Sequence, residues 1–302
     1  MEAIVYERFG GPEVLALGEA EKPEPGPGQV RVKVVAAGVN PVDYRIRNGW
    51  MQHQFPVTFP AVPGLELAGV VDELGEGVTG FAVGDEVFGH SDTGAYAEYA
   101  LATHVVRKPA ELTWEQAVAL PVAGETSERV LRLLELAEGE TLLIHGAAGV
   151  TGSVGVQLAV ARGAKVIGTA SPANHAFLRE LGAIPLAYGE GLVERVREVA
   201  PQGIDAVYDA AGKGALPDSI ALRGGTASRI VTIADTGAAD HGVRFSGEGT
   251  PAPEPIYEAH ARLVAEGRLR IRHAETFPLA DAVKALELSE GGHTRGKLVV
   301  KP

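Results

Sequence analysis

A chain of 302 residues, 45% apolar and 22% charged, is long enough for two domains or one large one and has the composition of an ordinary soluble globular protein. Its formal net charge of −12, with no basic run, argues against nucleic acid or an anionic membrane surface as partner, since such polyanions are bound by clustered Lys and Arg. With no cysteine, disulfides, thiol nucleophiles and cysteine-held clusters or zinc are excluded, which fits a reducing compartment.

The opening run MEAIVYERFGG carries charge at Glu2, Glu7 and Arg8 and has no apolar signal segment, so the cytoplasm is the expected location. The Pro/Gly-rich run EKPEPGPGQ reads as a loop. After it, QVRVKVVAAGV alternates, with Val30, Val32 and Val34 on one face of a predicted strand. AGVVDELGEGV and FAVGDEVFG continue with short strands and glycine turns. Beyond KPAELTWEQAVAL, strands and helices alternate. TLLIHG precedes the helix SVGVQLAVARG, closed by Gly163, and AKVIGTA precedes PANHAFLRELG, closed by Gly182. AIPLAY, LVERVREVA, GIDAVYDAAG and SRIVTIAD extend the pattern, which predicts right-handed βαβ units and a parallel sheet. The tail returns to strands, RIRHAETFPL and GKLVVKP, around the helix ADAVKALELSE. The expected fold class is α/β: a β-rich domain from both chain ends, 1–112 and 266–302, with a doubly wound domain at 113–265 between them.

From Thr141 to Ala161 there is no Lys, Arg, Asp or Glu, about the length of a membrane span. The run is broken by glycines and holds His145 and Gln157, so a strand, a tight turn and a helix explain it better. In LLIHGAAGVTGSVGVQLA the turn has the spacing A-x-G-x-x-G, with Ala147, Gly149 and Gly152, followed by the helix that includes Val150 and Thr151. A dinucleotide fold needs small residues there so that the chain can bend, the backbone can approach the pyrophosphate and the helix can pack closely. The helix N-terminus then offers free N–H groups to the phosphates.

The next strand discriminates cofactors. NAD sites place a carboxylate near its end for the ribose 2′-hydroxyl. Here Thr169, Ala170 and Ser171 are followed by Asn174 and His175, with no acid to repel a 2′-phosphate. NADPH is expected in preference to NADH.

The motifs AAGVNPVDYRIRNG, PGLELAGVVDELGEGV, VGDEVFG, GAYAEY, HGAAGVTGSVGVQLA and GHTRGKLVVKP, in that order, resemble the zinc-free quinone oxidoreductase (zeta-crystallin-like) branch of the medium-chain dehydrogenase/reductases. The resemblance runs from Glu2 to Pro302 and implies a GroES-like β-rich catalytic domain beside a Rossmann NADPH-binding domain. In zinc-dependent relatives a cysteine ligand stands where this chain has Asn40, and a histidine ligand where it has Leu65. No zinc is therefore expected.

By the same resemblance Asn40 lies beside the nicotinamide, where its amide donates to the acceptor carbonyl or a ribose hydroxyl; the alternative is a cap of the turn before Pro41. Asp43 suits a helix-capping role. Tyr44, Arg45 and Trp50 belong to the segment that lines the acceptor pocket in relatives, although many carry tyrosine where Arg45 stands. Thr126 is expected at the nicotinamide end of the cofactor, Ala211 under its ribose, and Phe245 and Ser246 at its flank. Tyr188 either meets the adenine or 2′-phosphate or is a core tyrosine, and Arg295 and Lys297 either return to the cofactor or form a solvated turn.

The function these features imply is NADPH-dependent hydride transfer to a small-molecule acceptor, a quinone or an α,β-unsaturated carbonyl, with water or Tyr44 as proton source. An enoyl reductase of secondary metabolism and an NADPH-binding protein without turnover are the alternatives. Relatives pair as homodimers through sheet edges, and SRIVTIAD to GVRFSG can supply that edge.

Overall fold

The computed structural model describes residues 1–247, 254–292 and 294–302; His293, in the closing motif, lies outside the described residues. It divides into two units, Met1–Glu125 with Gly249–Pro302, and Thr126–Glu248.

The first unit opens with a hairpin of β1 (Glu2–Val5) and β2 (Ala16–Glu19). The alternating valines form β3 (Val30–Val39), with Val30, Val32 and Val34 buried as the pattern predicts. Its far end runs into α1 (Pro41–Arg47), where proline stands in the first turn and supplies a preset φ. β4 (Glu66–Leu74), β5 (Glu86–His90), β6 (Tyr99–Ala102) and β7 (Val105–Arg107) follow, then α2 (Trp114–Val118) and α3 (Leu120–Leu133).

In the second unit, strands and helices alternate as β8 (Thr141–His145), α4 (Val150–Ala161), β9 (Lys165–Thr169), α5 (His175–Glu180), β10 (Ile184–Leu186), α6 (Leu192–Val199), β11 (Ala206–Asp209), α7 (Leu216–Leu222), β12 (Ile230–Thr232) and β13 (Arg244–Phe245). The chain then returns to the first unit with α8 (Glu254–Ala265), β14 (His273–Pro278), α9 (Ala282–Gly291) and β15 (Lys297–Lys301).

In the first unit the sheet order is β14-β15-β3-β4-β5-β7, with β6 also on β3. Strand β3 serves two partners along one side of its length: Val30–Lys33 pair with β6, and Ala37–Val39 with β15. The core beneath it is mainly aliphatic, with Val32, Leu67, Val71, Val87, Leu298 and Val300 among its members beside Tyr6, Tyr96 and Phe277.

The sheet of the second unit is parallel, in the order β10-β9-β8-β11-β12-β13. Renumbered from its first strand this is 3-2-1-4-5-6, the doubly wound order whose switch point falls between β8 and β11. Gly163 and Gly182 take left-handed φ values of +80° and +89° in the turns after α4 and α5. The charge-free run resolves into β8 and the short helix α4, whose Gly152 to Val156 are buried in succession. Among the described residues no helix is long and apolar enough to cross a membrane.

The division of units falls later than 112/113 and earlier than 265/266, because two helices pack on the β-rich unit. α2 lies on β3, β4, β5 and β15. α8 lies against β7, with Tyr257 tilted on Phe88 and Glu254 bonded to His104 Nδ1 at 2.9 Å.

Candidate active site

The turn after β8 is built so that side chains are excluded. Gly146 has φ +69°, and a Cβ there would lie 3.2 Å from the carbonyl carbon of Ala210. A Cβ on Gly152 would lie 2.3 Å from Gly146 O and 2.9 Å from Ala147 Cα. One on Gly155 would meet the Tyr208 ring at 2.9 Å, so that glycine lets α4 approach β11. Ala147 is buried and its N–H bonds Thr169 O at 3.1 Å, tying the turn to the end of β9. Gly149 is exposed at the N-cap of α4, with Val150 and Thr151 half-buried in the first turn and no acidic side chain among them. The result is a bare cradle at a helix N-terminus, a site suited to a pyrophosphate.

At the end of β9 three of the predicted residues come together. Asn174 Nδ2 donates to Ser171 Oγ at 3.1 Å, while Asn174 Oδ1 is buried without a partner, and His175 Nε2 lies 3.2 Å from Ala170 O. Tyr188 follows the neighbouring strand β10 and is 65% exposed, so it is not a core tyrosine.

Beside the cradle, β11 ends in Asp209, fully buried. Its Oδ1 accepts the N–H groups of Ala211 and Gly212 at 2.9 and 3.1 Å, and its Oδ2 accepts the Thr232 hydroxyl at 2.7 Å. Ala211 is thus held by a carboxylate that sequence reasoning missed. His145, at the end of β8, is 1% exposed, and burial lowers its pKa. Ser219 Oγ donates its single proton to Ala215 O at 2.7 Å, so His145 Nε2, 2.9 Å from Ser219 Oγ, carries hydrogen. The imidazole is neutral and structural. Thr126 is buried, and next to it Ser127 Oγ donates to Thr151 O at 2.9 Å, joining α3 to the start of α4. Phe245 is half-buried on β13, and buried Ser246 contacts the Arg129 guanidinium.

The other cluster lies within the first unit. Asn40, 5% exposed, donates from Nδ2 to Glu66 Oε1 at 2.8 Å and accepts at Oδ1 from Lys297 Nζ at 2.7 Å. Lys297 and Glu66 also form an ion pair, buried on both sides. Glu66 Oε2 accepts the Val122 N–H at 2.9 Å, so both carboxylate oxygens are engaged. Asp43 reaches back as expected of a cap: its Oδ2 accepts the Asn40 N–H at 2.8 Å. Burial pushes the Asp43 carboxyl up to about 7, against the opposing pull of the Asn40 N–H, the Tyr96 hydroxyl and Lys297. Tyr44 and Arg45 are half-buried on α1, and Tyr44 meets the 66% exposed Trp50 edge to face at 6.4 Å between centroids. Arg295 is exposed, whereas Lys297, two residues on, is 1% exposed.

Two family models match: the alcohol dehydrogenase GroES-like domain over residues 26–110 and the zinc-binding dehydrogenase over 181–300. Among relatives, a quinone oxidoreductase of Pseudomonas aeruginosa is 34% identical, over 99% of this chain and 99% of its own. The chain belongs to the quinone oxidoreductase-like branch of the medium-chain dehydrogenase/reductase superfamily. It is an oxidoreductase of that type. An NADPH-dependent alkenal/one oxidoreductase of Arabidopsis thaliana is 32% identical, over 100% of this chain and 80% of its own. With the quinone oxidoreductase of Sus scrofa the identity is 45%, over 56% of this chain, and the match spans only about half, 53%, of that relative. The solved quinone oxidoreductase of Coxiella burnetii superposes with a TM-score of 0.87 at 34% identity, covering 100% of this chain and 99% of the other. A mycobacterial protein complexed with NADPH superposes at 0.84 with 29% identity, covering 100% of both.

Although one matching family model is named for zinc, no group of three or more His, Cys, Asp or Glu able to hold a metal exists among the described residues of this superfamily member. The residues that sequence reasoning passed over, Glu66 as a partner of Asn40, Tyr96 and Asp209, did leave a trace. Glu66 and Asp209 are polar groups at the ends of strands with apolar middles, and Tyr96 is flanked by two alanines.

Proposed function

We propose that this chain is an NADPH-dependent reductase of quinones or α,β-unsaturated carbonyls that works without zinc. The observation that carries the reading is the cradle of Gly146, Gly149 and Gly152, where a Cβ on Gly152 would fall 2.3 Å from Gly146 O, next to a strand end that offers Ser171 and Asn174 and no carboxylate. The relatives' names support the acceptor class, and the mycobacterial complex supports the cofactor.

When bound, NADPH supplies the hydride for the reduction. The free N–H groups at the start of α4 would hold its pyrophosphate, and Ser171 and Asn174, with the exposed Tyr188 beyond the neighbouring strand β10, would take the 2′-phosphate. Thr126, Ala211, Phe245, Ser246 and Arg295 are assigned to the rest of the cofactor, with Ala211 fixed by Asp209. Asn40 donates its remaining amide hydrogen to the acceptor oxygen, where charge develops. Tyr44 or water returns the proton. Zinc is disfavoured because Asn40 and Leu65 are poor ligands for it and a buried ammonium, Lys297 Nζ, sits 2.7 Å from Asn40 Oδ1, where a dication would be repelled. The compartment we assign is the cytoplasm. The assembly is a homodimer, paired through β13 at the open edge of its sheet.

The test is NADPH and NADH oxidation by the purified chain across a panel of quinones, alkenals and enones. NADPH-linked turnover with one of these classes supports the reading. Saturable NADPH binding with no turnover across the panel overturns it in favour of a binding protein.

A further inference from the structure

The side-chain amide of asparagine has nearly the same shape in its two orientations, related by a flip of oxygen and nitrogen. At Asn40 that degeneracy is broken from both ends. The Lys297 ammonium can only donate, and it meets Oδ1 at 2.7 Å; the Glu66 carboxylate can only accept, and it meets Nδ2 at 2.8 Å. A flip would set N–H against ammonium and oxygen against carboxylate. The two charges come from strands far from Asn40 in the chain, Glu66 opening β4 and Lys297 opening β15, while Asn40 follows the end of β3. Room for the carboxylate is made by Gly38 on β3, where a Cβ would lie 2.1 Å from Glu66 Oε1.

We propose that Lys297 and Glu66 are positioning residues that lock the Asn40 amide in one orientation, leaving a single N–H to donate to the acceptor. The last clause rests on the reductase reading; the lock itself does not. Lys297 is then a residue that acts through Asn40 and not a ligand of the cofactor phosphates. The ion pair is net neutral, and it supplies direction without adding a charge to the site. A pair of apolar residues could not give the amide this direction.

K297M alone would strand the Glu66 carboxylate in a buried site and threaten folding, so the pair is removed together as K297M/E66Q. G38A is the second variant, displacing Glu66 while every polar group is kept. All are made in the full chain, with and without N40A, and circular dichroism verifies folding. The apo protein is read by its side-chain amide NMR signals, which come from only three asparagines, Asn40, Asn48 and Asn174, and six glutamines, and N40A assigns the one in question. In the wild type the two Asn40 amide protons should be widely split, one of them held by a carboxylate. In K297M/E66Q and in G38A the splitting should collapse. In turnover, K297M/E66Q should lower kcat by about 10²-fold, as expected when a reacting group loses its placement, and should lower it less than about threefold in the N40A background. NADPH binding, followed by nucleotide fluorescence, should stay within about twofold, because the cofactor phosphates are not held by Lys297.

Unchanged amide splitting in the folded variants overturns the lock. An equal kcat loss with and without Asn40, or an NADPH Kd that rises with kcat unchanged, overturns the route through Asn40 and makes Lys297 a cofactor ligand. If the wild type fails to oxidise NADPH with any acceptor of the panel, the reductase reading fails, and the amide splitting still decides the lock.

Discussion

The Tyr96 hydroxyl donates to Asp43 Oδ2 at 2.8 Å inside the first unit, and both residues are buried. The opposite oxygen, Asp43 Oδ1, is buried with no partner, so the folded environment favours the protonated acid. With the folded carboxyl at about 7 and an ordinary value of 3.8, the native state holds a proton that the unfolded chain has released. The Asp43 contribution to stability is therefore complete below pH 3.8 and is lost as pH rises towards 7. Asp43→Asn removes this titration while keeping an oxygen for the Asn40 N–H. Urea unfolding at pH 4.5 and 7.5 should show the wild type losing a few kcal/mol relative to the variant, at ~1.4 kcal/mol per pH unit. Parallel pH profiles would refute the raised carboxyl.

Gly152→Ala tests the cradle. Its new Cβ would overlap Gly146 O, and the turn must open to accept it. Overpacking of this kind costs about 1–3 kcal/mol, and the displaced backbone should weaken NADPH by well over tenfold in a fluorescence titration. Wild-type affinity in a folded Gly152→Ala would remove the cradle from the cofactor site.

Asp209→Ala strips three hydrogen bonds from the turn that carries Ala211 and from Thr232. Hydrogen bonds to a charged acceptor contribute about 1.5–3 kcal/mol each, so thermal unfolding should report a loss of at least ~3 kcal/mol. A shift of Tm within a degree or two would mean that the turn holds itself.

Ser171→Asp puts a carboxylate at the end of β9, where dinucleotide folds that use NAD place one. The ratio of kcat/KM for NADPH to that for NADH should fall by at least about tenfold through repulsion of the 2′-phosphate. An unchanged ratio would move the 2′-phosphate elsewhere.

What could be read in advance follows from how local each requirement is. The strand, glycine turn and helix from Thr141 to Ala161 were legible because the demand for small residues falls on neighbours in sequence. The clustering of Ser171, Asn174 and His175 was legible for the same reason, since all three fall within a few residues between the end of β9 and the start of α5. The partners of Asn40 were not, because Lys297 lies 257 residues away and meets it only through the pairing of β15 with β3. The division between units differs from 112/113 and 265/266 at α2 and α8, because an amphipathic helix states that it covers a core without stating which one. Tyr188 and Lys297 were each read with two alternatives, and burial separates them: one is exposed beyond β10, the other enclosed at the start of β15.

The central claim, delivery of hydride from NADPH to an acceptor carbon, is tested most directly by isotope transfer. NADPH deuterated at the nicotinamide C4 position is turned over with an enone, and the product is analysed by mass spectrometry and NMR. The expected product carries one deuterium on the β-carbon of the saturated ketone, with the α-proton drawn from solvent. Saturated product without deuterium from either C4 face of the cofactor would contradict the claim.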